Sequence, residues 1–183
     1  DKDVAALKSI REETVLSDEQ LSEIIELSDY TRAKSRALWY LDRSDHTEKQ
    51  LYDKLIRARF SPRVCAKVIA KLKELGLIDD ERFAKRYSER LFEANTSKRQ
   101  ILCKLYEKGV SRDLAKVTVC ALPEDETALI RNLIEKKYKQ KLKDKESVKK
   151  VYAALIRKGF SFSGVKEVLK DYEEELAYTF EDT

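Results

Sequence analysis

The sequence predicts an all-α protein of three tandem three-helix repeats, helix-turn-helix-like units forming an elongated, curved body. Four observations carry this. Glycine and proline together number six in 183 residues, about 3% against roughly 12% in an average protein, too few for the turns of an all-β chain. The apolar share of 42% is too high for disorder. The longest apolar run, Val151 to Ile156, is far shorter than the about 20 residues of a membrane span. Finally, Glu48 to Val68, Lys98 to Thr118 and Val148 to Val168 align at a period of 50 residues, the signature of a repeat protein.

The elements follow in chain order. Residues 1–30 form an acidic, partly helical segment, a possible remnant of an N-terminal extension; Ser17 and Gln20 have capping-box spacing. The first repeat, 31–78, opens with a helix from Thr31 to Arg43, with Ala37, Leu38 and Leu41 inward. Thr47 caps the next helix and Gln50 completes its box. Arg59 stands where the other copies have Gly109 and Gly159, so the alignment gives it a left-handed backbone. Ser61 caps the closing helix, with Pro62 at its first position.

The second repeat, 79–122, starts with Asp79 as cap and Asp80 and Glu81 at the positive end of the helix dipole. Phe83, Ala84, Tyr87 and Leu91 point inward, with Phe83 as core between the first two repeats. Ser97 with Gln100, and then Ser111, cap the remaining two helices. The third repeat, 123–183, begins near Pro123 with Leu129, Leu133 and Ile134 inward. Its stretch KKYKQKLKDK is polar all round and is expected to project into solvent or meet a partner. Ser147 is the expected cap, its box lost because Lys150 replaces glutamine. Ser161 caps the last helix, and an acidic tail ends the chain. Aligned core sets are Leu51/Ile101/Val151, Leu55/Leu105/Leu155, Phe60/Val110/Phe160, Cys65/Ala115/Val165 and Ile69/Val119/Leu169.

Enzyme chemistry finds little footing. Cys65 falls on a core position and Cys103 on a helix edge, and no CxxC pair suggests zinc. His46, the single histidine, belongs to a surface loop. The four glycines form neither a GxGxxG nor a P-loop. We therefore expect no catalytic residues, no metal and no cofactor. Trp39 and Tyr40 read as packing for the first core. With no signal peptide pattern, the expected location is cytoplasmic and the expected state a monomer.

Charge is segregated. Residues 1–30 carry a net −6, residues 31–170 a net +16, and residues 171–183 a net −6. Such a basic body suits a polyanion or an acidic protein surface. Candidate binding residues are basic positions repeated in register: Lys49, Arg99 and Lys149; Arg57 and Arg157; Lys108 and Lys158; Lys54 and Lys104. Arg63 and Arg112 open closing helices, and Lys98 precedes Arg99 where cations oppose the helix dipole. A helix-turn-helix repeat that binds DNA directly is the alternative. However, the closing helices open unlike one another, and Phe162 and Gly164 are poor readers of base edges.

Some residues also carry a resemblance. Ala37, Leu38 and Leu41, then His46-Thr47-Glu48 and Leu55 to Phe60, and above all Gly76-Leu77-Ile78-Asp79-Asp80-Glu81-Arg82-Phe83-Ala84, resemble the RecX family of recombination regulators. Lys104 to Val110 adds a match in the second copy. The resemblance implies a non-enzymatic regulator lying in the groove of the RecA recombinase filament. It would touch single-stranded DNA weakly or through the filament, and limit ATP hydrolysis, strand exchange and coprotease activity. Gly76, Leu77, Asp79, Asp80, Phe83 and Ala84 carry the match, and we read their roles as mainly structural.

Overall fold

The computed structural model describes residues 17–181, among which there are nine α-helices, one short 3-10 turn and no strand. The helices are α1 (Asp18–Arg43), α2 (Glu48–Arg57), α3 (Pro62–Glu74), α4 (Asp80–Glu93), α5 (Lys98–Glu107), α6 (Arg112–Cys120), α7 (Glu126–Lys137), α8 (Lys145–Arg157) and α9 (Phe162–Glu181). Residues 1–16 of the acidic segment, and 182–183 of the acidic tail, lie outside the described residues. The fold is all-α and built of three-helix domains. Contacts group the chain into two compact units, Asp1–Phe83 and Ala84–Thr183.

In the first unit, α1 packs on α2 and α3, and α2 packs on α3. Ala33 and Ala37 of α1 are fully buried against Leu51, Leu55, Val64, Cys65, Val68 and Leu72. Small residues on α1 let the backbones approach, and the half-buried Tyr30, Tyr40 and Leu41 seal the edges. In the second unit, α5 packs on α6, while α7 and α8 pack on α9. The larger core there gathers Ile130, Leu133, Ile134, Leu155, Val165 and Val168. Apart from the half-buried Phe60, every residue of the five aligned core sets is buried.

The turns repeat in geometry as well as in sequence. Arg59 has φ +69°, beside +88° at Gly109 and +84° at Gly159. In each, the left-handed residue's N–H reaches back to Ile56, Tyr106 or Ile156, all at 2.9 Å. The next N–H reaches Leu55, Leu105 or Leu155 at 3.1–3.3 Å. This is the Schellman closure. Gly76 (φ +65°) and Asn95 (φ +56°) close α3 and α4 in the same way.

Several expectations need correction. The first helix does not begin at Thr31. Ser17 and Gln20 form their capping box, and α1 runs unbroken from Asp18. Thr31 lies inside it, its hydroxyl donating to Leu27 O at 3.0 Å. Leu38 is exposed, because the inward line is set by Ala33 together with the expected Ala37. Ser97 caps Gln100 N–H (3.2 Å), but α5 lacks the reciprocal bond that Gln50 makes to Thr47. Ser147 is not a cap. Asp144 accepts its N–H at 2.7 Å and the box forms three residues earlier, so α8 gains an extra turn. α7 starts at Glu126 under an Asp125 cap rather than near Pro123. The lysine-rich stretch is no projecting helix: α7 ends at Lys137, and Tyr138 and Leu142 fold back onto the core of the second unit. Ala84 and Ser88 form the buried line of α4, whereas Phe83, Tyr87 and Leu91 are only half-buried.

Candidate functional site

The twelve basic candidates sort by their place on the helices. Lys49, Arg57, Arg63, Arg99, Arg112, Lys149 and Arg157 are exposed; Lys54, Lys98, Lys104, Lys108 and Lys158 are half-buried. Arg57 and Arg157 end α2 and α8, while Lys108 and Lys158 are the C-caps of α5 and α8. There they complement the negative end of the helix dipole. Lys49 and Arg99 occupy the second position of α2 and α5, where the dipole opposes them. Lys149 escapes this, because the longer α8 places it more than a turn inside.

Local partners already engage part of this set. Arg63 pairs with Glu26 at 3.4 Å, and Lys67 bonds the same carboxylate. The Lys67 bond is the largest influence holding the Glu26 carboxyl below its ordinary range. Lys98 reaches Glu124 at 3.3 Å. Lys54 lies over the Tyr40 ring at 4.7 Å and Lys108 over Tyr87 at 5.8 Å. These exposed contacts contribute little stability, about 0–1 kcal/mol each.

The clearest convergence is in the second unit. The buried Ser97 hydroxyl donates to Lys158 O at 2.5 Å. The Arg99 stem lies against Gly159, where an added Cβ would stand 3.2 Å from Arg99 Cβ. The α5 N-terminus, with Lys98 and Arg99, and the α8–α9 turn, with Arg157 and Lys158, are thus neighbours in the second unit.

The segment Gly76 to Ala84 is architectural, in a way the sequence only half reveals. Asp79 caps α4, its Oδ1 accepting Arg82 N–H at 2.9 Å. Asp80 does more than favour a dipole. Its Oδ1 accepts the Glu48 N–H at 2.9 Å, satisfying the first orphan donor of α2 across the sequence. Burial pushes the Asp80 carboxyl above its ordinary range, against the Glu48 bond that lowers it. Such a long-range cap leaves no periodic signal. Gly76 supplies the left-handed turn, Ala84 is buried, and the exposed Leu77 and half-buried Phe83 line a cleft.

One further site differs from expectation. Trp39 is 46% exposed instead of packed in the core, with Arg43 over its ring at 3.5 Å and Arg36 at 5.7 Å. The three-and-four spacing of Arg36, Trp39 and Arg43 could have revealed this cluster. His46 is half-buried, its Nδ1–H donating to Ser44 O at 2.7 Å. Cys65 is buried and Cys103 exposed, as the repeat implies. Among the described residues no group of His, Cys, Asp and Glu could hold a metal ion, and no helix is long and apolar enough to cross a membrane.

Comparison with known proteins finds the RecX family. Residues 33–72 match the first three-helix domain of RecX and residues 124–169 the third. The chain is 30% identical over 165 residues to the regulatory protein RecX of Finegoldia magna, covering 87% of this chain and 80% of that protein. It is 33% identical over 155 residues to the RecX of Clostridium tetani, covering 82% and 71%. The crystal structure of RecX from Lactobacillus salivarius shares the fold, with a TM-score of 0.71 at 22% identity over 80% of this chain and 98% of that one.

Proposed function

Because the chain belongs to the RecX family of regulatory proteins, we propose that it binds the RecA recombinase filament on single-stranded DNA and restrains its ATPase, strand-exchange and coprotease activities. The supporting observation is the basic register. Lys49, Arg99 and Lys149 stand exposed at one alignment position, and Arg57 and Arg157 at another. A filament repeats its acidic and phosphate groups, and a chain that repeats its cations can match that periodicity. We place the binding units at 31–78, 79–122 and 123–183, acting in the cytoplasm as a monomer without cofactor or catalytic residue.

The test is fluorescence anisotropy of labelled single-stranded DNA, naked and coated with recombinase and a nonhydrolysable ATP analogue. It is run at about 0.15 M salt, where exposed charges are screened beyond roughly 8 Å. Much tighter binding to the coated filament is expected. Equal or tighter binding to naked DNA would make the chain a direct DNA binder. Reversing Arg57, Lys104 and Lys108 to glutamate should weaken inhibition of the recombinase ATPase while the helical circular dichroism persists. Normal inhibition by the folded triple variant would move the binding face elsewhere.

A further inference from the structure

The outer face of α3 carries a basic ridge that the chain covers with its own acid. Arg63, Lys67 and Lys71 stand at i, i+4 and i+8 of the helix, and all three are exposed. That spacing puts them on one face, with about 6 Å of axial rise between neighbours. The opposite face is the core line of Val64, Cys65, Val68, Ile69 and Leu72. With Lys73, α3 has four cations and one carboxylate, Glu74. No other closing helix is built this way: α6 has two cations and one acid, α9 two cations and six acids.

An anion already sits on this ridge. Glu26, on the neighbouring α1, places its Oε1 3.4 Å from Arg63 Nε, and the same oxygen accepts a bond from the Lys67 ammonium. The Glu26 side chain is 32% exposed, against 74% for Arg63 and 52% for Lys67. The acid is tucked between the helices, while its two cations keep at least half of their surface in water. The other charges nearby are committed. Asp29 pairs with Arg32 at 3.3 Å, Lys71 with Glu74 at 2.9 Å and Lys73 with Glu48 at 2.6 Å, and Glu23 has a partner of its own. The pair formed by Arg63 and Lys67 therefore has the geometry to hold one anionic oxygen, and Glu26 supplies it.

A partner's carboxylate would gain nothing there that Glu26 does not already offer at a far higher effective concentration. A strand of regularly spaced phosphates gains more. It meets Arg63, Lys67 and Lys71 together and releases counterions at each. We infer that these three residues form a phosphate-binding ridge for single-stranded nucleic acid, and that Glu26 is its built-in competitor, which the strand must displace. Glu26 thereby sets a threshold: a strand that offers one phosphate leaves it in place, and one that meets the whole ridge removes it. The inference rests on the proposed filament reading for where the strand is met, but the ridge itself needs no recombinase.

The test is fluorescence anisotropy of a labelled oligothymidylate titrated with the full chain at about 0.05 M salt, where exposed charges are less screened. Glu26→Gln should tighten binding about threefold, the order of an exposed ion pair. Glu19→Gln removes the same charge from the same helix, at an exposed position without an ion pair, and should change binding by less than about 1.5-fold. Arg63→Gln with Lys67→Gln should weaken binding. It should also lower the log–log salt slope by about 1.4, at about 0.7 for each single-strand phosphate contact. In that double variant Glu26→Gln should add nothing. The substituted side chains all reach solvent, and circular dichroism verifies the fold.

An equal gain from Glu19→Gln, a gain that persists without Arg63 and Lys67, or no gain at all would overturn the inference. So would poly-glutamate of matched length binding the Glu26→Gln variant as tightly as the oligothymidylate does, which would identify an acidic protein as the occupant. Recombinase is absent from this assay. A chain that shows no preference for the coated filament can still show the Glu26 gain, and the reverse holds too, so failure of either reading is distinguishable from failure of the other.

Discussion

Replacing Arg59 by glycine should stabilise the protein, and the size of the gain can be worked from the turn itself. Arg59 sits at φ +69°, where its two repeat counterparts are glycines. A side chain in the left-handed region costs about 1–2 kcal/mol. Glycine removes that cost but frees the unfolded chain, returning about 0.4–1 kcal/mol. The midpoints of the two ranges leave a net gain of about 0.8 kcal/mol, or roughly 2–3 °C in Tm for a chain of this length. Arg59 makes no side-chain bond that would offset this; its backbone N–H bond to Ile56 O survives the change. Thermal unfolding followed by circular dichroism is the assay. Arg59→Ala separates the causes, since it removes the charge but keeps the Cβ, and should bring no comparable rise. Gly159→Ala supplies the opposite sign, and more strongly, because its Cβ would stand 3.0 Å from Ser97 Oγ and 3.2 Å from Arg99 Cβ. A fall or no change in Tm for Arg59→Gly, or an equal rise for Arg59→Ala, would refute the strain argument.

Three further outcomes follow from the caps and the dipole. Asp80→Ala should cost about 1–2 kcal/mol by orphaning the Glu48 N–H, whereas Asp80→Asn keeps an acceptor and should cost much less. Burial raises the Asp80 carboxyl above 3.8, so the folded state holds its proton more tightly than the unfolded one. Stability from this group therefore rises as pH falls through the folded pKa, and denaturant titrations across acid pH should lose that slope in Asp80→Asn. Asp144 has the opposite sign. Bonds from Ser147 hold its carboxyl below 3.8, so its contribution is present above that value and disappears as pH falls through the folded pKa; Asp144→Asn should flatten the loss. Arg99→Gln keeps the stem against Gly159 but removes a cation from the α5 N-terminus. It should raise stability by about 0.3–1 kcal/mol in chemical denaturation while weakening filament binding in the anisotropy assay.

What the sequence reveals is whatever recurs. Apolar residues at a fixed register announce the cores because a buried position accepts only a few side chains. Left-handed turns announce themselves through Gly109 and Gly159, and the alignment then assigns Arg59 a conformation its identity argues against. Local caps are legible when one side chain meets its own helix, as at Ser17, Thr47, Ser61 and Ser111. The reading fails where two signals compete nearby: Asp144 and Ser147 both suit a cap, and the helix takes the earlier one and gains a turn. It also fails where the partner is distant in sequence. Asp80 closing α2 and Ser97 bonding Lys158 O depend on packing that no periodicity encodes. The helical spacing places Leu38 inward beside Ala37 and Leu41, but α1 lies against its neighbours through alanines, and the bulky side chain is left at the cleft.

The basic residues divide along the same line between stability and binding. At the C-terminal ends of helices, Arg57, Lys108, Arg157 and Lys158 suit the fold with or without a partner, since the dipole welcomes a cation there. Their presence therefore says little about function. Lys49, Lys98 and Arg99 are the discriminating positions, for each sits in the first turn of its helix, where charge costs stability. Acidic residues there would serve folding better, as Asp80 and Glu81 do at α4. The lysine and arginine at the start of α5, set beside the turn that carries Arg157 and Lys158, oppose the fold's electrostatic preference. Under the proposed reading, a partner with negative charge would reverse that preference, and the α5 N-terminus is then the place where neutralising charge should strengthen the fold and weaken the complex together.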